Sequence, residues 1–239
     1  MKFPCIALLA AGLLAGVMVQ AQTADEIVNK YTNAIGGKDK INSIKSLYIE
    51  EDLDVNGNVA PSVTVILNGK AFRNDVDFGG AKITRVTTPT SGWSVNPAMG
   101  QTTPEVTPAE ANAAGAPDYQ VGGALVDYAA KGYTVELQGT EAINGVNNHK
   151  LHVTSKAGLD ITYYIDPSTF YITRSVSKTM FGGQSVEFTR NFSKYTKTDA
   201  GIVVPYSTEL VLPQFTLSMT TKKVEANKDV DAKLFDMPK

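Results

Sequence analysis

Cysteine is almost absent from this chain of 239 residues, and histidine and tryptophan are scarce. The one cysteine is Cys5, and there are two histidines and one tryptophan. Beyond Cys5 there is no thiol for a disulfide, a nucleophile or a zinc ligand, so stability must come from a hydrophobic core. His149 and His152 are three residues apart in a predicted strand and face opposite sides, which argues against a shared metal ion.

The chain also lacks an excess of one charge. It has 22 basic and 24 acidic side chains, a formal net charge of −2. A nucleic-acid surface needs clustered lysine and arginine, so we expect no nucleic-acid partner. With 43% apolar and 19% charged residues, the composition excludes a disordered or coiled-coil protein.

One long apolar run is present, at the N-terminus. Lys2 precedes an apolar stretch over residues 6–19, and Val19-Gln20-Ala21 supplies the small residues of a cleavage site. This pattern predicts a signal peptide over residues 1–21, cleaved after Ala21, and the run is shorter than the roughly 20 residues that span a bilayer. Because Gln22 and not cysteine follows, we expect no lipidation and a soluble periplasmic protein.

The remaining residues, 22–239, have the pattern of one mainly β (α+β) domain. Thr23 and Glu26 form a capping box that predicts an N-terminal helix. After it, apolar and polar residues alternate in short runs separated by turn signals such as Asn56-Gly57, which predicts roughly ten antiparallel strands.

A helical insertion interrupts the strands at about residues 98–131. Thr107-Pro108-Ala109-Glu110 resembles a second capping box, and a further helix is predicted at about residues 124–130. Because ordinary connections are much shorter, an insertion of this length is typical of a lid or a binding element.

Motifs for metal binding and catalysis are weak. Asp52, Asp54 and Asn56 match the opening of a calcium loop, but Val63 stands where the bidentate glutamate is required, so they are weak calcium candidates and we predict no metal. Acidic residues 50–54 could serve a glycosidase, but their neighbours are predicted to be exposed. Ser175 and Lys178 have the Ser-x-x-Lys spacing, but they face apart in a predicted strand and the companion motifs are missing. We therefore predict no enzyme activity and no cofactor.

Four motifs carry a family resemblance. Ser91-Gly92-Trp93-Ser94-Val95-Asn96-Pro97 is similar to a strand ending in Asn-Pro before the lid helices of LolA-like lipoprotein carriers. The segments at residues 164–169 and 233–238 resemble that family's Asp-Pro turn and terminal Phe-x-x-Pro. Residues 35–41 resemble the opening of lipoprotein-sorting-like proteins.

The resemblance implies a half-open antiparallel β-barrel that binds the acyl chains of lipoproteins or related lipids in an apolar cavity for transfer toward the outer membrane. It further implies an inner-membrane transporter and an outer-membrane receptor as partners, and we expect a monomer. From their places on the strands and the lid we predict the cavity and lid residues to be Val65, Leu67, Phe72, Trp93, Val95, Met99, Leu125 and Tyr128.

Carriers of this family hold the lid through a strand arginine, and Lys70 and Arg73 are both candidates for that latch. Lysine lacks the planar donor fork of arginine, so Lys70 would make a weaker latch. Two other functions stay open: an envelope sensor or accessory binding domain on the same fold, and an envelope hydrolase. Fold alone does not separate these functions.

Overall fold

Thirteen strands form one continuous antiparallel sheet in the computed structural model, which describes residues 22–181, 184–212 and 215–238. The predicted signal peptide at residues 1–21 lies outside the described residues. In chain order the strands are β1 Ser46–Val55, β2 Asn58–Leu67, β3 Ala71–Phe78, β4 Ala81–Thr87, β5 Gly92–Val95, β6 Glu105–Val106, β7 Tyr133–Ile143, β8 Val146–Ser155, β9 Asp160–Ile165, β10 Ile172–Phe181, β11 Gln184–Lys197, β12 Val203–Val211 and β13 Thr216–Ala226.

The sheet is open. Its strand order is β6-β5-β4-β3-β2-β1-β13-β12-β11-β10-β9-β8-β7, so β1 pairs with β13 in the middle, and β6 and β7 form the two edges. The predicted mainly β architecture, a half-open barrel with helices, is confirmed. The count exceeds the predicted ten because short strands such as β6, with two residues, were not separable from loops by pattern.

In the described part of the chain, three α-helices and three 3₁₀ turns accompany the sheet. The helices are α1 Ala24–Ala34, α2 Lys38–Ser43 and α3 Ala109–Ala114, and the 3₁₀ turns are Pro97–Met99, Ala116–Tyr119 and Ala232–Phe235. The predicted capping box of α1 is present: the Thr23 side chain accepts from the Glu26 amide at 3.2 Å, and the Thr23 amide donates to the Glu26 carboxylate at 3.1 Å. The helix start was therefore correctly predicted from local chemistry.

Tight hairpin turns connect neighbouring strands where the sequence predicts them. Asn56 and Gly57 have φ values of 52° and 85°, and Asn144 and Gly145 have 50° and 83°. Two consecutive left-handed residues define the turn whose twist matches that of the flanking strands, and Asn-Gly adopts it with little strain. These turns fix the register of β1 on β2 and of β7 on β8.

The insertion differs from its predicted form in two places. The helix α3 begins at Ala109, and its N-cap is Pro108 instead of the predicted Thr107, so no side-chain acceptor caps it. The Thr107 amide donates to Gly92 O at 2.8 Å and so extends the sheet edge. The helix predicted at about residues 124–130 is a series of turns. Its break is at Asp127, which has a φ of 53°.

Asp127 is held in that conformation by contacts with α2. Its carboxylate lies 2.5 Å from the Lys38 ammonium and accepts from the Asn42 side chain at 3.1 Å. A left-handed residue cannot continue an α-helix, so these tertiary contacts replace helix with turns.

The sheet has two buried faces. Along β2, Ile66 packs in a large cluster with α1, α2 and the insertion, whereas Val65 and Leu67 pack in a smaller cluster. Because successive strand residues point to opposite sides, we call these the inner and the outer face. The outer cluster consists of Val65, Ala71, Val86, Trp93 and Phe235, with Tyr48, Val63, Leu67, Val95 and Val230 packed against it.

Candidate functional site

A cavity of about 750 Å³ lies between the inner face of the sheet, the N-terminal helices and the insertion. The insertion contributes Ala111 and Ala114 of α3 and the segment that follows them. Tyr31 of α1 and Ile35, the residue after that helix, also line the cavity. The apolar part of the sheet wall includes Leu47, Ile49, Ile66, Ile161, Phe188, Phe192, Met219 and Val224. The volume lies within the roughly 300–1,000 Å³ of small-molecule pockets.

One carboxyl group lies in this wall without a cation beside it. Glu51 on β1 accepts a hydrogen bond from the Thr221 hydroxyl on β13 at 3.1 Å. Burial raises the pKa of Glu51 above its usual value, although the Thr221 hydrogen bond acts in the opposite direction. Part of the wall is therefore a weakly acidic, hydrogen-bonding patch rather than pure hydrocarbon.

The insertion is tied to the sheet by an arginine on β4. The Arg85 guanidinium donates to the Asp118 carboxylate at 2.8 Å and to the Thr87 hydroxyl at 3.2 Å, and it lies 4.5 Å from the centre of the Phe72 ring. Asp118 is in the 3₁₀ turn that follows α3. This contact joins the wall of the cavity to its cover.

Backbone contacts support the same junction. The Gly69 amide, in the turn between β2 and β3, donates to Tyr119 O at 2.8 Å, and the Asn68 side chain accepts from the Val121 amide at 3.0 Å. Further along, Lys131 donates to Gly123 O at 2.9 Å, and burial lowers the pKa of Lys131 to about 8. The segment after α3 is thus fixed at several points, while α3 itself packs against β10.

The predicted cavity and lid residues are distributed over both faces. Leu125 lines the cavity and is 1% exposed. Phe72 packs in the inner cluster beneath Arg85, and Tyr128 packs at its edge with its hydroxyl donating to Asp25. Met99 is 72% exposed on the short 3₁₀ turn after β5.

Four of the predicted residues are on the outer face. Val65, Leu67, Trp93 and Val95 belong to the outer cluster, and none of them lines the cavity. The physical reason is that β2 is buried on both sides, so its apolar content does not reveal which side encloses the cavity. We therefore keep Leu125 as a proposed ligand-binding residue. On β2 we propose Ile66 in place of Val65 and Leu67.

Neither predicted latch residue contacts the insertion through its side chain. Lys70 is exposed in the turn between β2 and β3. Arg73 is on the outer face, where it binds Asp75 at 2.8 Å and 3.0 Å and donates to Leu234 O at 2.6 Å. Arg73 and Trp93 both bind the C-terminal segment. The Trp93 indole donates to Phe235 O at 2.9 Å. The arginine whose side chain contacts the insertion is Arg85, and it binds the Asp118 carboxylate.

The weak calcium candidates have other partners. Asp52 pairs with Lys222 at 2.6 Å, Asp54 accepts from the Gly57 amide at 2.7 Å, and Asn56 forms the hairpin turn. Over residues 22–181, 184–212 and 215–238, no three histidine, cysteine, aspartate or glutamate side chains are grouped so that they could hold a metal ion.

Sequence reasoning missed Arg85 and Arg190, two cationic residues of the cavity wall, and considered Glu51 only as one of the acidic residues 50–54. The signal for Arg190 is present in the alternation Phe188, Arg190 and Phe192, which places a cation between two aromatic residues on one strand face. Without knowledge that this face encloses a cavity, the pattern reads as an ordinary half-exposed strand.

No family model and no curated protein matches the chain. Its fold is similar to a DUF1329 family protein from Desulfovibrio piger, at 15% identity and a TM-score of 0.57 over 90% of this chain and 98% of that one. A protein described as an outer membrane lipoprotein-sorting protein domain, from Vibrio parahaemolyticus, matches at 11% identity and 0.56 over 89% and 97%. A LolA superfamily protein from Nitrosomonas europaea matches at 10% identity and 0.59 over 90% and 98%.

These likenesses establish that the chain has a LolA-like fold, as the sequence motifs predict. At such low identity they show the fold alone. In the part of the chain that the structure describes, every helix is too short or too polar to cross a bilayer.

Proposed function

We propose that the protein is a periplasmic carrier that binds the acyl chain of a lipoprotein or a related lipid in the cavity under the insertion. The observation that carries this proposal is the cavity of about 750 Å³, with its apolar sheet wall and a cover held by Arg85 and Asp118. The LolA-like fold is consistent with it. Uptake and release need no bond to be broken, so the proposal requires no catalytic group.

The energy of such binding suits a carrier. Each buried methylene gains about 0.8 kcal/mol, so a dozen methylenes give on the order of 10 kcal/mol before ordering and entry costs are subtracted. Release requires a competing arrangement of the cover, in which its own apolar side chains occupy part of the space left by the cargo. Leu125, Ala111 and Ala114 lie on the cover and line the cavity, so they are placed for this competition.

The transfer partners belong to the same proposal. A carrier that accepts cargo at one membrane and delivers it to another needs a donor, such as an inner-membrane transporter, and an acceptor, such as an outer-membrane receptor. The protein would work between them as a soluble monomer.

Mass spectrometry of the protein purified from its native envelope tests the proposal. We expect acyl lipid or acylated protein to co-purify, to be extracted by organic solvent, and to pass to acceptor vesicles when these are added. Purified protein that carries no acyl compound, and that takes none up from lipid micelles, would refute a carrier function. Retained lipid that never passes to vesicles would instead favour a sensor.

Loosening the cover should speed release of the cargo. Asp118→Asn removes the charge partner of Arg85, and because both side chains are partly exposed, the pair contributes only about 0.2–1 kcal/mol. We therefore expect lipid release to accelerate by up to about fivefold, measured by stopped-flow fluorescence with a pyrene-labelled fatty acid.

Asp160→Asn is the matched control for this change. Asp160 also lines the cavity, but it pairs with His152 on β8 at 2.9 Å and not with the insertion. The rate at which the Asp160→Asn variant releases lipid should stay within twofold of the wild-type rate. If both variants changed the rate equally, the Arg85 contact would have no special role in closing the cavity.

A further inference from the structure

Arg190 on β11 is a cation in the wall of the cavity. Its side chain shares a strand face with Phe188 and Phe192, and all three line the cavity. The residue is half-buried, and across the ladder it lies opposite Ser175 on β10, which is buried. The half-buried Arg190 side chain therefore shares the cavity wall with aromatic and small polar residues.

Within the described residues, Arg190 has no counter-charge. All 24 acidic side chains of the sequence are at described positions, and none of them forms an ion pair with Arg190. Leaving a partly buried cation without a partner costs free energy, so the site favours any anion that can reach it.

The acidic residues of the cavity wall have partners other than Arg190. Asp118 forms an ion pair with Arg85 at 2.8 Å, and the Asp160 carboxylate is within hydrogen-bonding distance of the His152 ring, at 2.9 Å. Glu51 accepts a hydrogen bond from the Thr221 hydroxyl, and burial raises its pKa above the usual value. Lys178 adds a second cation at the exposed rim. The wall thus presents positive charge to a ligand.

Hydroxyl groups and the empty volume of the cavity lie beside Arg190. Ser175 and Ser177 line the cavity on the neighbouring strand, and their hydroxyls are hydrogen-bond donors for an oxyanion. The helix α3 packs against β10 and contributes only the methyl groups of Ala111 and Ala114 to the wall. It therefore offers no competing partner for the guanidinium.

We propose that the cargo is an anionic amphiphile whose carboxylate or phosphate binds Arg190, with Ser175 and Ser177 beside it, while its chain occupies the apolar part of the cavity. This inference rests on the carrier function and names its substrate class. The planar guanidinium fork matches the oxygens of a carboxylate or a phosphate, which a neutral lipid does not offer. A neutral lipid would leave the cation unpaired in the filled cavity.

A matched series of twelve-carbon amphiphiles tests the proposal. Dodecanoate, dodecyl phosphate, dodecanol and dodecyltrimethylammonium, all below their micelle concentrations, are titrated into the full protein by calorimetry, with inorganic phosphate as the head group alone. We expect the two anions to bind about tenfold or more tighter than dodecanol, since a charge-assisted hydrogen bond contributes about 1.5–3 kcal/mol. Inorganic phosphate alone should bind far more weakly than dodecyl phosphate.

Arg190→Met keeps the length and apolar stem of the side chain and removes its charge. It should abolish the preference for anions while leaving dodecanol affinity within twofold. Arg174→Met is the matched control, because Arg174 on the adjacent strand binds Asn191 at 2.9 Å and does not line the cavity. Circular dichroism melting curves verify that both variants fold.

The outcomes separate this inference from the carrier function. Equal affinity of wild type for dodecanol and dodecanoate, or an anion preference that survives Arg190→Met, would refute the anionic cargo and leave the carrier intact. Binding of inorganic phosphate as tight as that of dodecyl phosphate would also refute it, because the chain would then contribute nothing. Failure of all four amphiphiles to bind would refute both proposals.

Discussion

Replacing Ala111 by tryptophan is expected to weaken acyl-chain binding by about 15-fold or more. Ala111 is on the face of α3 that lines the cavity, where an indole side chain would occupy space that the ligand needs. If it excludes only two methylenes of the chain, the loss is about 1.6 kcal/mol. Competition with a fluorescent fatty acid measures the affinity, and stability should change little because α3 is at the surface of the fold.

Ala113→Trp is the control for this substitution. Ala113 is on the same helix, but it does not line the cavity. Its variant should bind lipid within twofold of wild type. Equal losses in the two variants would indicate a general disturbance of α3, and unchanged binding in Ala111→Trp would show that the chain does not lie beneath this helix.

Trp93→Ala should lower the free energy of unfolding by about 3–5 kcal/mol, the usual cost of deleting a large buried aromatic side chain. Trp93 is 5% exposed in the outer cluster, and its indole donates to Phe235 O. Since this cluster is on the opposite side of the sheet from the cavity, lipid affinity at low temperature should remain within twofold. Urea unfolding followed by circular dichroism measures the loss.

Trp93→Phe provides a milder variant if the alanine variant does not fold. It keeps most of the packing and removes the hydrogen bond to Phe235 O, so the loss should be about 1–3 kcal/mol. Loss of lipid binding in a variant that is still folded would mean that the outer face, and not the inner one, receives the chain.

Local chemistry made much of the fold predictable. The capping box of Thr23 and Glu26 and the left-handed turn at Asn56 and Gly57 depend on neighbours within three residues, so the sequence pattern contains all the needed information. The alternation of apolar and polar residues then indicates strands, and the order of the weak motifs indicates the LolA-like arrangement. The helix predicted at residues 124–130 is wrong, because Asp127 is bound by Lys38 and Asn42, and both of these residues are distant from it in sequence.

The site was less predictable than the fold. Val65 and Ile66 are both buried, yet they face opposite sides, and only the three-dimensional position of the insertion tells which side is the cavity. Likewise Arg73 and Arg85 are both strand arginines before the Asn96-Pro97 segment. Strand β3 directs Arg73 to Leu234 on the outer face, and β4 directs Arg85 to Asp118 beneath the insertion. Register, and not residue type, decides these roles.

Photo-crosslinking with a dodecanoate that carries a diazirine near its methyl end tests most directly whether the cavity receives the chain. After irradiation and digestion, mass spectrometry should locate the adducts on inner-face residues such as Ile49, Phe192 and Val224, and excess unlabelled dodecanoate should suppress them. Adducts confined to exposed outer residues such as Val59 and Met99, or adducts that excess dodecanoate does not reduce, would contradict binding in the cavity.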